Sequence, residues 1–560
     1  MKRLGWSLAL LLLLSPLAVS QPGLAQAAKP AEKPLLRRYL EAAEADKPDL
    51  RKQLLALGAQ ALRAEIAAYK FETPVKTGTV KLYTACPDGF RRPMWVYVPA
   101  KYDPAKAYPL IVHMHGGVSG TPLEGEDGET APGEYEMGTW RDRLPETWKN
   151  EVILLGVSAG AMETTRDAVW WRGVGQKNIL HMITQVRRNL NIDDDHVFIE
   201  GHSDGGSGTF AFAFRRPDTF AGFFAMNGHP LVPTGDGVSV WLENLKGSSL
   251  YAVNGGADRL YPAAQLTPIY EQAKALGVSI ESKTHEKLGH QITPVLQEEI
   301  EAIFKDRVST LKRNRMPGTV DWTTDNAETG RRAWLSIDEV LNLGAKNNVA
   351  ANADIKVPGR RVRLGVQLSQ DSEKPVVDTV VKGSTAETMG VKEGDEITKL
   401  DDTPVATIDD LLNALTKKNP GDDVSLTVMR NLKEQVLKGK FDKAEVPQQA
   451  AMLEARVLAE LVPGKVTLSV RNAGKVSIYV SAEMLDAQGN LAVLLSTKAG
   501  KAIVLRAAAP VAADAAMILD AFEATGDRKD GAIARLEFDI AKALDLPRKG
   551  KDPAQEEDDF

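Results

Sequence analysis

A single cysteine, Cys86, stands in a chain of 560 residues. With no second one there is neither an intrachain disulfide framework nor a Cys-based zinc site, so packing has to hold the folded parts together. Positive charge is also short. Against 75 Asp and Glu there are 69 Lys and Arg, a net charge of −6, which provides no global field for a polyanion and argues against nucleic acid as a partner. The apolar run Leu8–Leu14 falls short of the ~20 residues that span a bilayer and is followed by Pro16, so no stable membrane span is expected. Gly (46) and Pro (30) are present in ordinary amounts and no long stretch is purely polar, which excludes collagen-like and wholly disordered chains. No strong internal repeat is visible.

What the sequence does contain begins with an address. Lys2 and Arg3 precede the apolar run, and Ala25-Gln26-Ala27 offers small residues at a cleavage site. Residues 1–27 therefore read as a secretory signal peptide, with export to the periplasm or the medium. The remainder is long enough for several domains. Leu, Ala, Glu, Lys and Arg dominate residues 28–72, with apolar positions Leu54, Leu62 and Ile66 at helical spacing, which predicts helices broken near Lys47-Pro48. Over 73–313 short apolar runs such as Leu110–His113, Val152–Val157, Val197–Glu200 and Leu250–Val253 alternate with amphipathic stretches. That pattern predicts an α/β domain, a mainly parallel sheet with helices on both faces. Residues 314–358 read as a connector with short β segments. A β-rich block with one helix, Ile408–Leu415, fills 359–443, a further β-rich segment fills 444–547, and 548–560 is a charged tail read as disordered.

Chemistry concentrates in 73–313. Gly201-His202-Ser203-Asp204-Gly205 lies between the strand Val197–Glu200 and a helix-like run. Glycines at Gly201 and Gly205 relieve crowding at a sharp strand-to-helix turn and leave Ser203 projecting above the sheet. A hydroxyl needs an imidazole to accept its proton and a carboxylate to hold that imidazole. Asp258 follows one downstream strand and His290 follows the next, with His285 and His229 as rivals for the base. Acyl transfer also needs N–H donors for the developing oxyanion. Gly116 and Gly117 in His113-Met114-His115-Gly116-Gly117, and the N–H of Asp204, are the candidates. All 8 histidines lie between His113 and His290, but no third ligand accompanies His113 and His115, so no metal and no cofactor is expected. Trp170-Trp171 reads equally as an aromatic wall for substrate or as packing.

These motifs resemble the secreted esterase branch of the α/β-hydrolases, which includes polyhydroxybutyrate depolymerases, feruloyl and acetylxylan esterases and dienelactone-hydrolase-like proteins. The resemblance rests on Tyr108–Gly117, Gly201–Gly206 and the two downstream loops. It implies a carboxylic ester hydrolase using Ser203, Asp258 and His290 on a small-molecule or polymeric ester. Asp204 departs from the uncharged residue that many relatives carry there.

A second resemblance is carried by Arg363-Leu364-Gly365-Val366-Gln367-Leu368, Thr385–Ile397 and Val424–Val428. Together they are similar to a PDZ domain of the kind attached to bacterial exported proteases. The resemblance implies capture of a protein C-terminal carboxylate around Leu364, Gly365 and Val366. Two other functions stay open: a serine peptidase related to prolyl oligopeptidases, and an inactive envelope scaffold that binds partners through its PDZ domain. Because every named catalytic residue precedes Asn314, the sequence implies a catalytic unit that ends near Arg313.

Overall fold

The computed structural model describes residues 33–117, 132–158, 168–342, 454–497 and 500–548, together with most of 362–441. Residues 1–27, read above as a signal peptide, and the charged tail from residue 549 lie outside the described residues. The chain divides into two compact units, one ending at Leu54 and the other beginning at Leu55. In the first, α1 (Leu35–Glu41) precedes α2 (Lys47–Ala56), which runs into the second unit. Pro48 lies in the first turn of α2, where its missing N–H breaks no helical bond, so the expected interruption at Lys47-Pro48 is a helix start. A third helix, α3 (Ala59–Ala67), follows Gly58, whose φ of 79° ends the preceding run. No described helix is long and apolar enough to cross a membrane.

The catalytic-domain candidate is built on eight strands: β1 (Gly78–Ala85), β2 (Arg91–Val98), β3 (Tyr108–Met114), β4 (Ile153–Val157), β5 (Ile192–His202), β6 (Gly222–Met226), β7 (Leu250–Gly255) and β8 (Ile280–His285). Their order is β1-β2-β4-β3-β5-β6-β7-β8. The first two are antiparallel, and every pair from β4 to β8 is parallel. β4 and β6 are buried along their whole length because helices cover both faces. Leu110, Val112 and Met114 of β3 face one core with α5 (Gly173–Asn189) and α6 (Asp204–Arg215). Ile111 faces the other, with Met137 and Trp140 of α4 (Pro132–Arg141) and Ile300 and Ile303 of α8 (Leu296–Ile303), while α7 (Ala263–Ala275) links β7 to β8. This is the α/β-hydrolase fold. β1 escaped the sequence reading because it is a half-buried edge strand with no continuous apolar run.

The expected connector carries its short β segments, but they pair with distant strands. Residues 314–342 form β9 (Thr319–Thr324), β10 (Arg331–Arg332) and β11 (Leu335–Val340), and these belong to the C-terminal β domain. The PDZ-like strands β12 (Val366–Leu368), β13 (Val377–Val380), β14 (Glu396–Leu400), β15 (Thr403–Pro404), β16 (Asp423–Arg430) and β17 (Lys433–Lys440), with α9 (Thr385–Met389) and α10 (Ile408–Thr416), come next. Then the β domain resumes with β18 (Ala455–Val462), β19 (Lys465–Arg471), β20 (Ala473–Ser481), β21 (Asn490–Ser496), β22 (Ala502–Pro510) and β23 (Ala532–Asp539), with α11 (Ala515–Thr525) before β23. Its two sheets are β22-β21-β19-β18-β9 and β10-β11-β20-β23, and Trp322 and Trp334 lie in their shared core. Segment 444–547 is thus incomplete by itself. The PDZ-like block has a separate core, which includes Leu364, Ile397, Leu411 and Leu426, and it is an insertion. The β-domain residues on either side of it both bond Asn472, whose carbonyl accepts from the N–H of Leu341 (2.7 Å) and whose Nδ2 donates to the carbonyl of Glu454 (3.1 Å).

The β domain is fastened to the hydrolase fold by buried charges. Arg313 and Arg315 pair with Asp527 at 2.6 and 2.9 Å, Arg315 pairs with Asp195 at 2.5 Å, and the N–H of Arg528 donates at 3.0 Å to Asp194, which within the hydrolase fold also pairs with Arg187 at 3.0 Å. Burial opposes ionisation of Asp527, but Arg313, Arg187 and Arg315 outweigh it and hold the carboxyl far below its ordinary range. Removing one side of such a network costs about 3–5 kcal/mol, because the other side remains buried and unpaired. Replacing residues 343–453 by a short Gly-Ser loop is therefore expected to shift the melting temperature of the remaining chain by no more than about 4 °C, roughly 1 kcal/mol. A chain ending at Arg313 is expected to aggregate or to melt well below the full chain. Circular dichroism melts of the two variants check both outcomes.

Candidate active site

β5 ends at His202 and α6 begins at Asp204, so Ser203 has to turn the chain alone. It does so with φ 59° and ψ −116°, a conformation that L-residues avoid. The crowding around it explains the glycines. A Cβ on Gly201 would lie 2.4 Å from the carbonyl carbon of Gly205, one on Gly205 would lie 1.9 Å from the carbonyl oxygen of Met114, and one on Gly206 would lie 2.7 Å from that of Met226. The N–H of Ser203 donates to Met226 O at 2.9 Å, which ties the turn to β6.

The structure brings Ser203, Asp258 and His290 together at the carboxyl ends of the parallel strands. Nε2 of His290 lies 2.8 Å from Ser203 Oγ, and its Nδ1 lies 2.8 Å from Asp258 Oδ2. With Nδ1–H donating to the carboxylate, Nε2 is left to accept from the hydroxyl; these partners assign the tautomer. Asp258 Oδ1 accepts from the N–H groups of Leu260 and Tyr261 at 2.8 and 2.9 Å. Burial works against its charge, yet His290 and those N–H groups hold the carboxyl below its ordinary value. The Tyr261 ring packs edge-on against His290 at 5.5 Å. Neither rival histidine approaches the serine in this way: His285 Nε2 binds Glu299 at 2.7 Å, and His229 Nδ1 accepts from the N–H of Leu231 at 3.1 Å.

Gly116 lies against the serine, and a Cβ there would come within 3.2 Å of Ser203 Cβ. Gly117 has φ 66°, which glycine adopts without strain. Asp204 is the first residue of α6, so its N–H belongs to the positive end of the helix dipole at Ser203. The loop is pinned from below, where Trp170 Nε1 donates to His115 O at 2.9 Å. Trp170 and Trp171 are both buried, and Trp171 Nε1 donates to Asp236 at 2.6 Å, so this pair is packing and not a substrate wall.

The sequence reading missed what lies behind the loop. His113 and Glu200 are cross-strand partners on β3 and β5, both fully buried, with His113 Nδ1 2.5 Å from Glu200 Oε1. Burial pushes His113 down to about 3 and pushes Glu200 well above its ordinary value. Glu136 of α4 is pushed up to about 7 by burial, and its charge opposes that of Glu200. A histidine and a glutamate inside otherwise apolar strands were the available signal. Asn227 and His202, which contact the His290 loop, were also not predicted. Among the described residues no three His, Cys, Asp or Glu side chains form a group that could hold a metal ion.

In the inserted domain Leu364 is buried and Val366 begins β12. Gly365 has φ 82°, and a Cβ there would lie 2.1 Å from Ser384 Cβ. The carbonyls of Leu364 and Gly365 accept from the N–H groups of Ala386 and Val381 at 2.8 and 2.9 Å, which fixes the loop. Residues 362–440 match the family model of the PDZ domain.

No curated protein matches the chain. Among solved structures, a thermostable esterase aligns at 19% identity over 42% of this chain and 63% of its own, with a TM-score of 0.34. Staphylococcus aureus fluorophosphonate-binding serine hydrolase F aligns at 15% identity over 41% of this chain and 100% of its own, with a TM-score of 0.31. Porphyromonas gingivalis dipeptidyl peptidase 4 aligns at 17% identity over 44% and 37%, with a TM-score of 0.32. The chain thus spans less than two thirds of the esterase and little more than a third of the peptidase.

Two outcomes follow from this geometry. Gly205→Ala is expected to destabilise the protein by about 3 kcal/mol or more, because the new methyl meets backbone that cannot rotate away; urea unfolding measures it. The second concerns pH. Glu136 and Glu200 keep protons in the folded chain at pH values where the unfolded chain has lost them, so the stability they contribute is full below their ordinary value of 4.5 and is lost as pH rises above it, for Glu136 through about 7. The melting temperature should fall between about pH 5 and about pH 8, and Glu136→Gln should flatten part of that fall.

Proposed function

We propose that the protein is an exported serine hydrolase that cleaves carboxylic esters through an acyl-serine intermediate, and that its PDZ domain captures peptide ends or partner proteins. The observation that carries the reading is the unbroken line from Ser203 Oγ through His290 to Asp258, two contacts of 2.8 Å each. The placement of Ser203 at a strained strand-to-helix turn supports it, since that is where a nucleophile projects above an α/β sheet.

In this reading Ser203 Oγ attacks the ester carbonyl as His290 Nε2 takes its proton. Asp258 stabilises the imidazolium and keeps Nδ1 as the donor. The negative charge that develops on the carbonyl oxygen is met by N–H groups at Gly116-Gly117 and at Asp204. Collapse of the adduct returns the proton from Nε2 to the leaving alcohol, and water then repeats the sequence to free the acid and Ser203. Side chains and water carry every proton, so the scheme calls for no cofactor. The ester preference rests on the loop His115-Gly116-Gly117, the pattern of the secreted esterases. Export rests on Lys2, Arg3, Leu8–Leu14 and Ala25-Gln26-Ala27.

Ser203→Ala is expected to abolish labelling by a fluorophosphonate probe and to lower kcat/KM on a short acyl ester by about 10⁵–10⁶-fold. Replacing His290 should cost several orders of magnitude, and replacing His285 about threefold or less. Feruloyl esters, acetylated sugars and peptide amides belong in the same assay. Faster turnover of amides would reassign the bond to a peptidase, and no labelling of the unaltered chain would leave the scaffold. A mature N-terminus at Ala28, read by N-terminal sequencing of the exported protein, tests the compartment.

A further inference from the structure

The reading of Ser203 needs an imidazole held in place, yet Ser203 and Asp258 touch only its two ring nitrogens. The backbone that carries the ring has its own clamp. His290 O accepts two side-chain hydrogen bonds, from Asn227 Nδ2 at 2.6 Å and from His202 Nε2 at 2.8 Å. Asn227 Nδ2 also donates to Gly289 O at 3.2 Å, while its Oδ1 accepts from the N–H of Gly255 at 2.9 Å. Gly255 ends β7, three residues before Asp258. One fully buried amide therefore joins the Asp258 loop to the His290 loop, and it does so from the residue after Met226, whose carbonyl holds the N–H of Ser203. These contacts admit one amide orientation: flipped, the oxygen would face two carbonyls and the NH₂ would face an N–H. Asn227 adopts φ 44°, a left-handed conformation that Asn tolerates better than most residues. His202, directly before the serine, packs its ring 5.2 Å from that of His290. Its pKa is lowered chiefly by burial, which keeps it a neutral donor through Nε2.

We infer that Asn227 and His202 are positioning residues for the base: from β6 and β5 they grip one carbonyl, and so set the distance and direction of His290 towards Ser203. The inference rests on the hydrolase reading above. Asn227 is fully buried and both residues act through His290.

The test uses the full chain. Asn227→Asp keeps the size and the left-handed tolerance but sets a carboxylate oxygen against two carbonyls. His202→Phe keeps a ring without a donor, and His202→Gln restores one. Asn227→Asp and His202→Phe are each expected to lower kcat on p-nitrophenyl acetate about 10²-fold, the cost of a misplaced catalytic group, with KM within about twofold. His202→Gln should recover most of the loss. The double variant should lose less than the product of the two single losses, because both bonds end on one oxygen. A second readout needs no turnover: the far-downfield proton resonance of His290 Nδ1–H should persist in Ser203→Ala and be lost or broadened in Asn227→Asp and His202→Phe. If both variants keep kcat and the resonance while Ser203→Ala is inactive, the positioning roles are wrong and the hydrolase reading stands. If Ser203→Ala remains active, the hydrolase reading fails, and the resonance alone decides whether these side chains hold His290. Should Asn227→Asp fail to fold, as seen by circular dichroism, the two His202 variants carry the same comparison.

Discussion

The turn at Ser203 is so crowded that Gly201, Gly205 and Gly206 can carry no side chains, and the rest of the site depends on that crowding. Gly201 and Gly205 approach each other across the turn, Gly205 presses on the carbonyl of Met114, and Gly206 presses on β6. Strands β3, β5 and β6 are thereby held at one height, and each delivers a part of the site at its end. From β3 comes the Gly116-Gly117 loop, from β5 the serine, and from β6 the amide of Asn227 that reaches to the loops after β7 and β8. Glycine is chosen here for its absence of volume. The strain that results falls on Ser203 alone.

A strained turn persists only in a frame that over-determines it, and two buried layers provide one. Beneath the site His113 and Glu200 are buried side by side on neighbouring strands and joined by a hydrogen bond, and burial disfavours the charged form of each. At the far side of α5, Arg187 sits between Asp194 and the charges of the β domain. These ions are stable only as a complete set. The β domain is consequently part of what makes the hydrolase fold a finished object, whereas the PDZ domain, entered and left at Asn472, can be absent without exposing any of these groups.

Local patterns were legible and pairings across long stretches of chain were not. The elbow, its downstream partners and the Gly-Gly loop could be read because each is a short motif at a strand end, and the PDZ segment because its turns and apolar runs come in order. The β domain was misread because β9 and β11 pair with strands more than a hundred residues later, and nothing in Thr319–Val340 announces a partner beyond the insertion. His113 and Glu200 were passed over for the same reason: each is an anomaly in its own strand, and only the register that sets them side by side turns two anomalies into one hydrogen bond. Trp170 was ambiguous because a tryptophan in a loop after a parallel strand serves either a substrate or a core, and its indole N–H beneath His115 decides for the core.

Ser203, Asn227 and Asn472 share a property that connects these observations. Each is a non-glycine residue with φ between 44° and 59°, where a glycine would meet no steric cost. At these three positions the side chain does something that glycine cannot. For Ser203 it is the hydroxyl. For Asn472 it is an amide that reaches the carbonyl of Glu454 and so closes the mouth of the inserted domain. For Asn227 the demand is narrowest, since the position requires a residue tolerant of the left-handed region and a short side chain with both a donor and an acceptor. Glycine meets the first condition but has no side chain, and glutamine carries the amide on a longer arm; asparagine meets both. Its φ of 44° and its three hydrogen bonds are therefore one constraint seen twice, and that constraint ties the loops of the acid and the base to the strand beside the nucleophile.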